Sequence, residues 1–227
     1  MTDENDLIRW SEALSGIART GMAFTENLYE RERYEEILHV AAEIHSRISE
    51  SGESSEKVIE WMQSVGKGIP GYVTPKVAIG AVVGNDKGEM LLIQRSDSGV
   101  WLFPTGFADV GYSAAEIAEK EVLEETGMQV EATRIISILD GVRARFTRMP
   151  LYSIVFQCKV VGGLLKPHPL ECDDVGFFSQ DSLPQPLAGS GNWVENAFSA
   201  IRDEPIEVQF DEPRRPAWKS EQRKNQK

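Results

Sequence analysis

Cysteine is nearly absent from this chain, with only Cys158 and Cys172 in 227 residues. Neither stands in a Cys/His spacing that binds zinc. Cys158 lies in the apolar run LYSIVFQCKVV and reads as a buried thiol. Long apolar runs are missing too. No stretch approaches the 18 or so residues of a membrane span, and the acidic N-terminus MTDENDLIRW has no apolar signal core. The expectation is a soluble, cytoplasmic protein without a membrane partner. Basic residues are in deficit, 24 Lys and Arg against 36 Asp and Glu, for a formal charge of −12. That balance argues against general affinity for nucleic acid or anionic membrane, since both rely on basic surface. What is present is a 41% hydrophobic content, enough for a globular core, in a chain sized for one large domain or a medium domain with an appendage.

The charge is uneven. Residues 1–66 hold 14 acids and 6 bases, a net of −8, whereas residues 213–227 hold 6 bases and 1 acid, a net of +5. Leu7, Trp10, Leu14 and Ile17 recur at spacings of three and four, as do Tyr34, Ile37, Leu38, Ala41 and Ile44, which predicts two helices. A third fits Ser55 to Val65. Thr20-Gly21 and Thr25-Glu26-Asn27 are the expected breaks. A three-helix unit this small buries little surface alone, so 1–66 is expected to pack on the next domain, on a second copy of the chain as a homodimer, or on both.

The Gly- and Pro-rich stretch GKGIPGYVTPK supplies a linker at 67–76, after which the period changes. Val77, Ile79, Ala81 and Val83 alternate as a strand, Asn85 to Gly88 turn, and MLLIQR follows as its partner. Further strands are expected at 129–139, 151–161 and 175–178, with a closing helix from Trp193 to Ile201. Strands interleaved with helices imply an α/β fold with a mixed sheet between helices over 77–205. The remainder, 206–227, is expected to be a partly disordered basic tail.

Chemistry concentrates in residues 106–128, GFADVGYSAAEIAEKEVLEETGM. Ser113 and Glu116 form an S-x-x-E capping box, and Gly127 suits the left-handed residue that ends a helix. Between them Glu121, Glu124 and Glu125 share one face, with Lys120 at its edge and Ala118 and Val122 pointing toward a core. Like charges at these spacings repel, so a solvated acidic face is the ordinary reading of such a helix. Gathered carboxylates are equally the hard oxygen ligands of Mg²⁺ or Mn²⁺.

This segment resembles the Nudix box, G-x5-E-x7-R-E-U-x-E-E-x-G-U, where U is a bulky aliphatic residue. Gly106, Glu121, Val122, Glu124, Glu125, Gly127 and Met128 fall in place, while Tyr112 stands where the pattern has Glu and Lys120 where it has Arg. The acidic helical segment before it is similar to one preceding bacterial Nudix hydrolases of ADP-ribose, CDP-choline and related X-linked nucleoside diphosphates. The resemblance implies an α/β/α sandwich with a mixed sheet, preceded by a small helical domain. It also implies Mg²⁺- or Mn²⁺-dependent hydrolysis of a small-molecule nucleoside diphosphate-X to a nucleoside monophosphate and X-phosphate. By position, Glu121, Glu124 and Glu125 become metal ligands, with the Thr105 carbonyl as a further one. The residues replaced by Tyr112 and Lys120 support the loop against the helix in the family; lysine keeps the charge but loses the bidentate fork.

Outside the box, the loop KPHPLECDD offers Glu171 as a further catalytic acid, with Asp173 and Asp174 behind it, and His168 between two prolines as a rigid-loop residue. Arg143, Arg145 and Arg148 are candidates for substrate phosphates, although surface charge explains them equally. Phe107, Tyr112 and Tyr152 are candidates for stacking on a base. Two rival functions remain open: a Nudix-fold sensor that binds a nucleotide-sugar without cleaving it, and an RNA 5′-end pyrophosphohydrolase, which the net charge disfavours.

Overall fold

A computed structural model of the chain describes residues 4–47, 54–63, 65, 73–109, 111–189 and 193–214. Three helices come first: α1 (Glu4–Phe24), α2 (Leu28–Ser46) and α3 (Ser54–Met62). They close on Ala18, Met22, Leu38, Ala41, Ala42 and Trp61. Asn27 starts α2, its side-chain oxygen accepting from the backbone N–H of Tyr29 at 2.9 Å. The break at 25–27 falls where expected, but the one expected at Thr20-Gly21 does not occur, because α1 runs through it. Gly21 serves close approach: the Tyr34 ring lies where a Cβ would stand, so helix meets helix without a break. Most of the Gly/Pro linker (66–72) and the basic tail from 215 onward lie outside the described residues.

The second unit is a mixed sheet built from β1 (Lys76–Gly84), β2 (Met90–Arg95), β3 (Trp101–Leu102), β4 (Thr105–Phe107), β5 (Met128–Asp140), β6 (Leu151–Gly163), β7 (Cys172–Phe178) and β8 (Gln209–Phe210). The order is β3-β2-β1-β6-β5-β8, with β4 also pairing β1 and β7 pairing β2. β1 and β6 run parallel, as do β5 and β8, while β5 and β6 are antiparallel. Two helices flank it, α4 (Ala114–Thr126) and α5 (Trp193–Ile201). Side chains of β1 alternate between them. Ile79, Ala81 and Val83 pack with Ile117, Ala118 and Val122 of α4, and Val82 packs with Ala197, Phe198 and Ala200 of α5. Burial on both faces explains why β1 and β2 are almost wholly apolar. The result is an α/β/α sandwich behind a helical segment.

Residues 209–210 join the sheet as β8, in a stretch expected to belong to the tail. Asp211 accepts from the backbone N–H of Asp140 at 2.8 Å, and the backbone carbonyl of Glu212 accepts from Arg143. The two units of the chain touch through a Glu4–Arg148 ion pair and a Val73 N–H donated to Thr20 Oγ1 at 3.3 Å.

Candidate active site

Helix α4 is delimited by its own termini. Ser113 Oγ accepts from the Glu116 N–H, and the Ser113 N–H donates in turn to the Glu116 carboxylate at 2.6 Å. Gly127 closes it with φ 71° and a bond to Leu123 O. With Ile117, Ala118 and Val122 buried against the sheet, the acidic face turns toward β4 and the loops beside it.

Two of the three glutamates lie against β4. Glu125 is only 4% exposed and accepts the Thr105 N–H at 2.9 Å, while Thr105 Oγ1 is tied to Ile79 O. The carboxyl group of Glu121 lies directly over Gly106, where any Cβ would collide with it. Gly106 is therefore required by the approach of a carboxylate to the strand backbone.

Charge accumulates here. Burial pushes Glu125 up to about 8, partly offset by the Thr105 hydrogen bond and reinforced by the Glu121 and Glu171 carboxylates. Glu121 is raised as well, first by burial and then by Glu124, Glu171 and Asp109 against the opposing influence of Lys120. Glu171, from the loop before β7, thus adds its negative charge to the same pair of carboxylates.

Glu124 takes a different partner. Lys120 donates to it at 2.8 Å and reaches Asp109 of the loop after β4 at 3.2 Å, so one ammonium ties loop to helix. Glu116, the other acid four residues from Lys120, is occupied by the cap instead. Among the described residues no group of three or more His, Cys, Asp or Glu side chains is arranged to hold a metal ion by itself. The donor set nonetheless suits a hard divalent cation. Mg²⁺ is ordinarily held by one or two carboxylates, with waters and substrate oxygens completing its shell. Glu121 and Glu125 are such a pair, and a bound cation would offset the burial and like charge that raise both.

A pH dependence follows. Because the folded-state value of Glu125 lies above the ordinary 4.5, its contribution to stability is complete below about pH 4.5 and is lost as pH rises toward about 8. In EDTA, the melting temperature is expected to fall between pH 5.5 and 8, the free-energy loss being on the order of a few kcal/mol. Glu125→Gln, which keeps an acceptor for Thr105, should flatten that slope in thermal scans; an unchanged slope would contradict the assignment.

The remaining candidates are dispersed. Arg143 does not turn toward the carboxylates: it binds Glu212 O and lies 4.0 Å from Asp211, holding the turn after β5 to β8. Arg145 is in that same turn with φ 63°. Tyr112 and Tyr152 are exposed, and Phe107 is exposed beneath the Lys76 ammonium. Asp173 and Asp174 are exposed on β7. Two site residues were not anticipated. Asp109 is one, an acid inside the box loop. Arg95 is the other: its charge acts on Glu125 from the end of β2, where Asp97 grips it through two bonds of 2.6 and 3.0 Å. The only signal for Arg95 is a cation ending an apolar strand.

Comparison with known proteins accords with this arrangement. Residues 74–196 match the NUDIX domain, and residues 5–62 match a domain described as UDP-X-like, N-terminal oligomerisation. The chain is 32% identical over 205 residues to YjhB of Bacillus subtilis (strain 168), provisionally named an ADP-ribose pyrophosphatase, with 88% of this chain and 95% of that protein covered. A solved UDP-X diphosphatase is similar over 92% of this chain and 99% of its own, at 27% identity and a TM-score of 0.56. An ADP-ribose pyrophosphatase from Streptococcus suis 89-1591 is similar over 61% of this chain and 100% of its own, at 36% identity and a TM-score of 0.52. A box helix carrying its glutamates against β4, inside a sandwich shared with these proteins, makes the chain a member of the Nudix family of hydrolases.

Proposed function

We propose that this Nudix hydrolase uses Mg²⁺ or Mn²⁺ to cleave the diphosphate of a nucleoside diphosphate-X, of the ADP-ribose, CDP-choline or nucleotide-sugar class, into a nucleoside monophosphate and X-phosphate. The observation that carries the reading is the pair of carboxylates, Glu121 and Glu125, pressed on Gly106 and Thr105 of β4. The substrate class is supported by relatives named for ADP-ribose and UDP-X that align along nearly the whole chain, helical segment included.

Glu121 and Glu125 would hold a divalent ion, which would supply positive charge to the diphosphate and activate water when bound. The chain's own residues do the rest. Thr105 fixes the Glu125 carboxylate through its N–H, and Lys120 holds the loop at Asp109 against Glu124. Glu171 is 61% exposed at its side chain, on the open edge of the cluster, suited to accepting a proton from attacking water.

Incubation with Mg²⁺ and ADP-ribose, CDP-choline, NADH, nucleotide-sugars and nucleoside triphosphates, with phosphate read after phosphatase coupling, tests the reading. Release confined to X-linked diphosphates supports it. Binding without release would indicate a sensor. Restoring the family pattern with Tyr112→Glu and Lys120→Arg is expected to leave kcat/KM within about tenfold, roughly 1.4 kcal/mol of barrier, because that pair supports the loop. A far larger loss would place Tyr112 against the substrate.

A further inference from the structure

The loop between β6 and β7 is fastened to the last turn of the box helix. Three backbone N–H groups, of Leu164, Lys166 and His168, donate to the carbonyls of Gly127, Thr126 and Glu125 at 3.3, 2.8 and 3.1 Å. These are helix-end carbonyls that would otherwise lack partners. The chain then turns once: His168 O accepts from the Glu171 and Cys172 N–H groups at 3.4 and 3.0 Å. Pro167 and Pro169 stiffen the backbone on either side. This turn sets the His168 ring beside the Glu171 carboxylate, with Nδ1 3.8 Å from Oε2. That Nδ1 is buried and has no hydrogen-bond partner. Glu171, for its part, is 61% exposed at its side chain and near enough to Glu121 and Glu125 for its negative charge to raise both.

We propose that His168 is a positioning residue that tethers Glu171 beside the Glu121 and Glu125 carboxylates, through a hydrogen bond from Nδ1–H to the Glu171 carboxylate that holds in the free protein as well. The inference rests on the hydrolase reading of this site. A buried ring nitrogen without a partner is costly to keep, and the Glu171 carboxylate is the acid that lies beside it. Because the His168 N–H is held by Glu125 O, the tether also fixes the distance from the box helix to the loop acid.

Steady-state kinetics on the full chain separate positioning from packing. His168→Ala is expected to lower kcat by about 10–100-fold, the range for removing a residue that orients a site group, with KM within about threefold. His168→Asn sets a side-chain amide near the Nδ1 position and should recover kcat to within about fivefold, whereas His168→Gln reaches the Nε2 position and should behave like alanine. Thermal unfolding in EDTA supplies a reading that needs no turnover. The melting shifts of His168→Ala and Glu171→Gln should be sub-additive in the double variant. Unchanged kcat in His168→Ala, equal activity of the Asn and Gln variants, or additive shifts would overturn the tether. Should the unmodified chain hydrolyse none of the substrates, the hydrolase reading fails alone, and the unfolding cycle still decides whether His168 holds Glu171.

Discussion

Glu124→Gln and Glu125→Gln should each lose at least about 100-fold in kcat/KM, the upper part of the range for disturbing a metal site. The two fail for different reasons. Glu125 sits buried between Thr105 and Glu121, so neutralising it removes half of the innermost carboxylate pair. Glu124 is the acid that Lys120 joins to Asp109, so its neutral variant also releases the loop after β4. Neither change should unfold the protein, since each relieves repulsion between acids on one helix face. Calorimetry should show weakened Mn²⁺ binding in parallel. Near-normal turnover in both variants would sink the assignment of this face to catalysis.

Replacing Ile17 and Phe24 with Glu together should convert a homodimer into a 25.3 kDa monomer by light scattering, with helical content unchanged. Trp10, Ile17 and Phe24 are 43%, 59% and 62% exposed and recur every seven residues along α1, so they form one apolar stripe facing away from α2 and α3. Leu28 and Tyr29 extend it at the start of α2. The match of this segment to a domain described as an oligomerisation domain, and the prevalence of two-fold pairs among soluble assemblies, favour a second copy as its cover. A carboxylate at two central positions would have to be desolvated in such an interface. A chain beginning at Val73 should likewise be monomeric or aggregate. If the unaltered protein is a monomer at tens of micromolar, the stripe has another use.

Much of this architecture is legible in residues that act locally. Ser113, Glu116 and Gly127 bound α4 because caps are one-turn devices, and MLLIQR is β2 because burial on both faces leaves it uniformly apolar. Local rules fail where a residue answers to something distant in sequence. Gly21 reads as a breaker until Tyr34 is found packed on it. β3, β4 and β8 span two or three residues each, too short for any alternation to show. At the site, the spacing of Glu121, Glu124 and Glu125 gives a shared face but not their division of labour. That depends on Thr105 and Lys120 meeting different members of the trio. Arg143 shows the converse, a cation near substrate by composition alone and committed to the Asp211–Glu212 segment once the strands pair.

The parallel pairing of β1 with β6 has a bearing on how the protein is made. It joins residues 76–84 to 151–159, partners 75 positions apart, at the centre of the sheet. Contacts that distant demand closure of a long loop before they return any energy, so they form slowly. The helical segment, whose contacts are local, can collapse while the chain is still being synthesised; the sheet cannot close until β6 has emerged. During that interval the apolar edge of β1 that β6 covers is open, and an unpaired strand edge of this kind aggregates. The acidic face of α4 waits as well, since Glu171 follows β6 in the chain. Refolding yield should therefore depend steeply on protein concentration, while the helical signal returns early whatever the concentration.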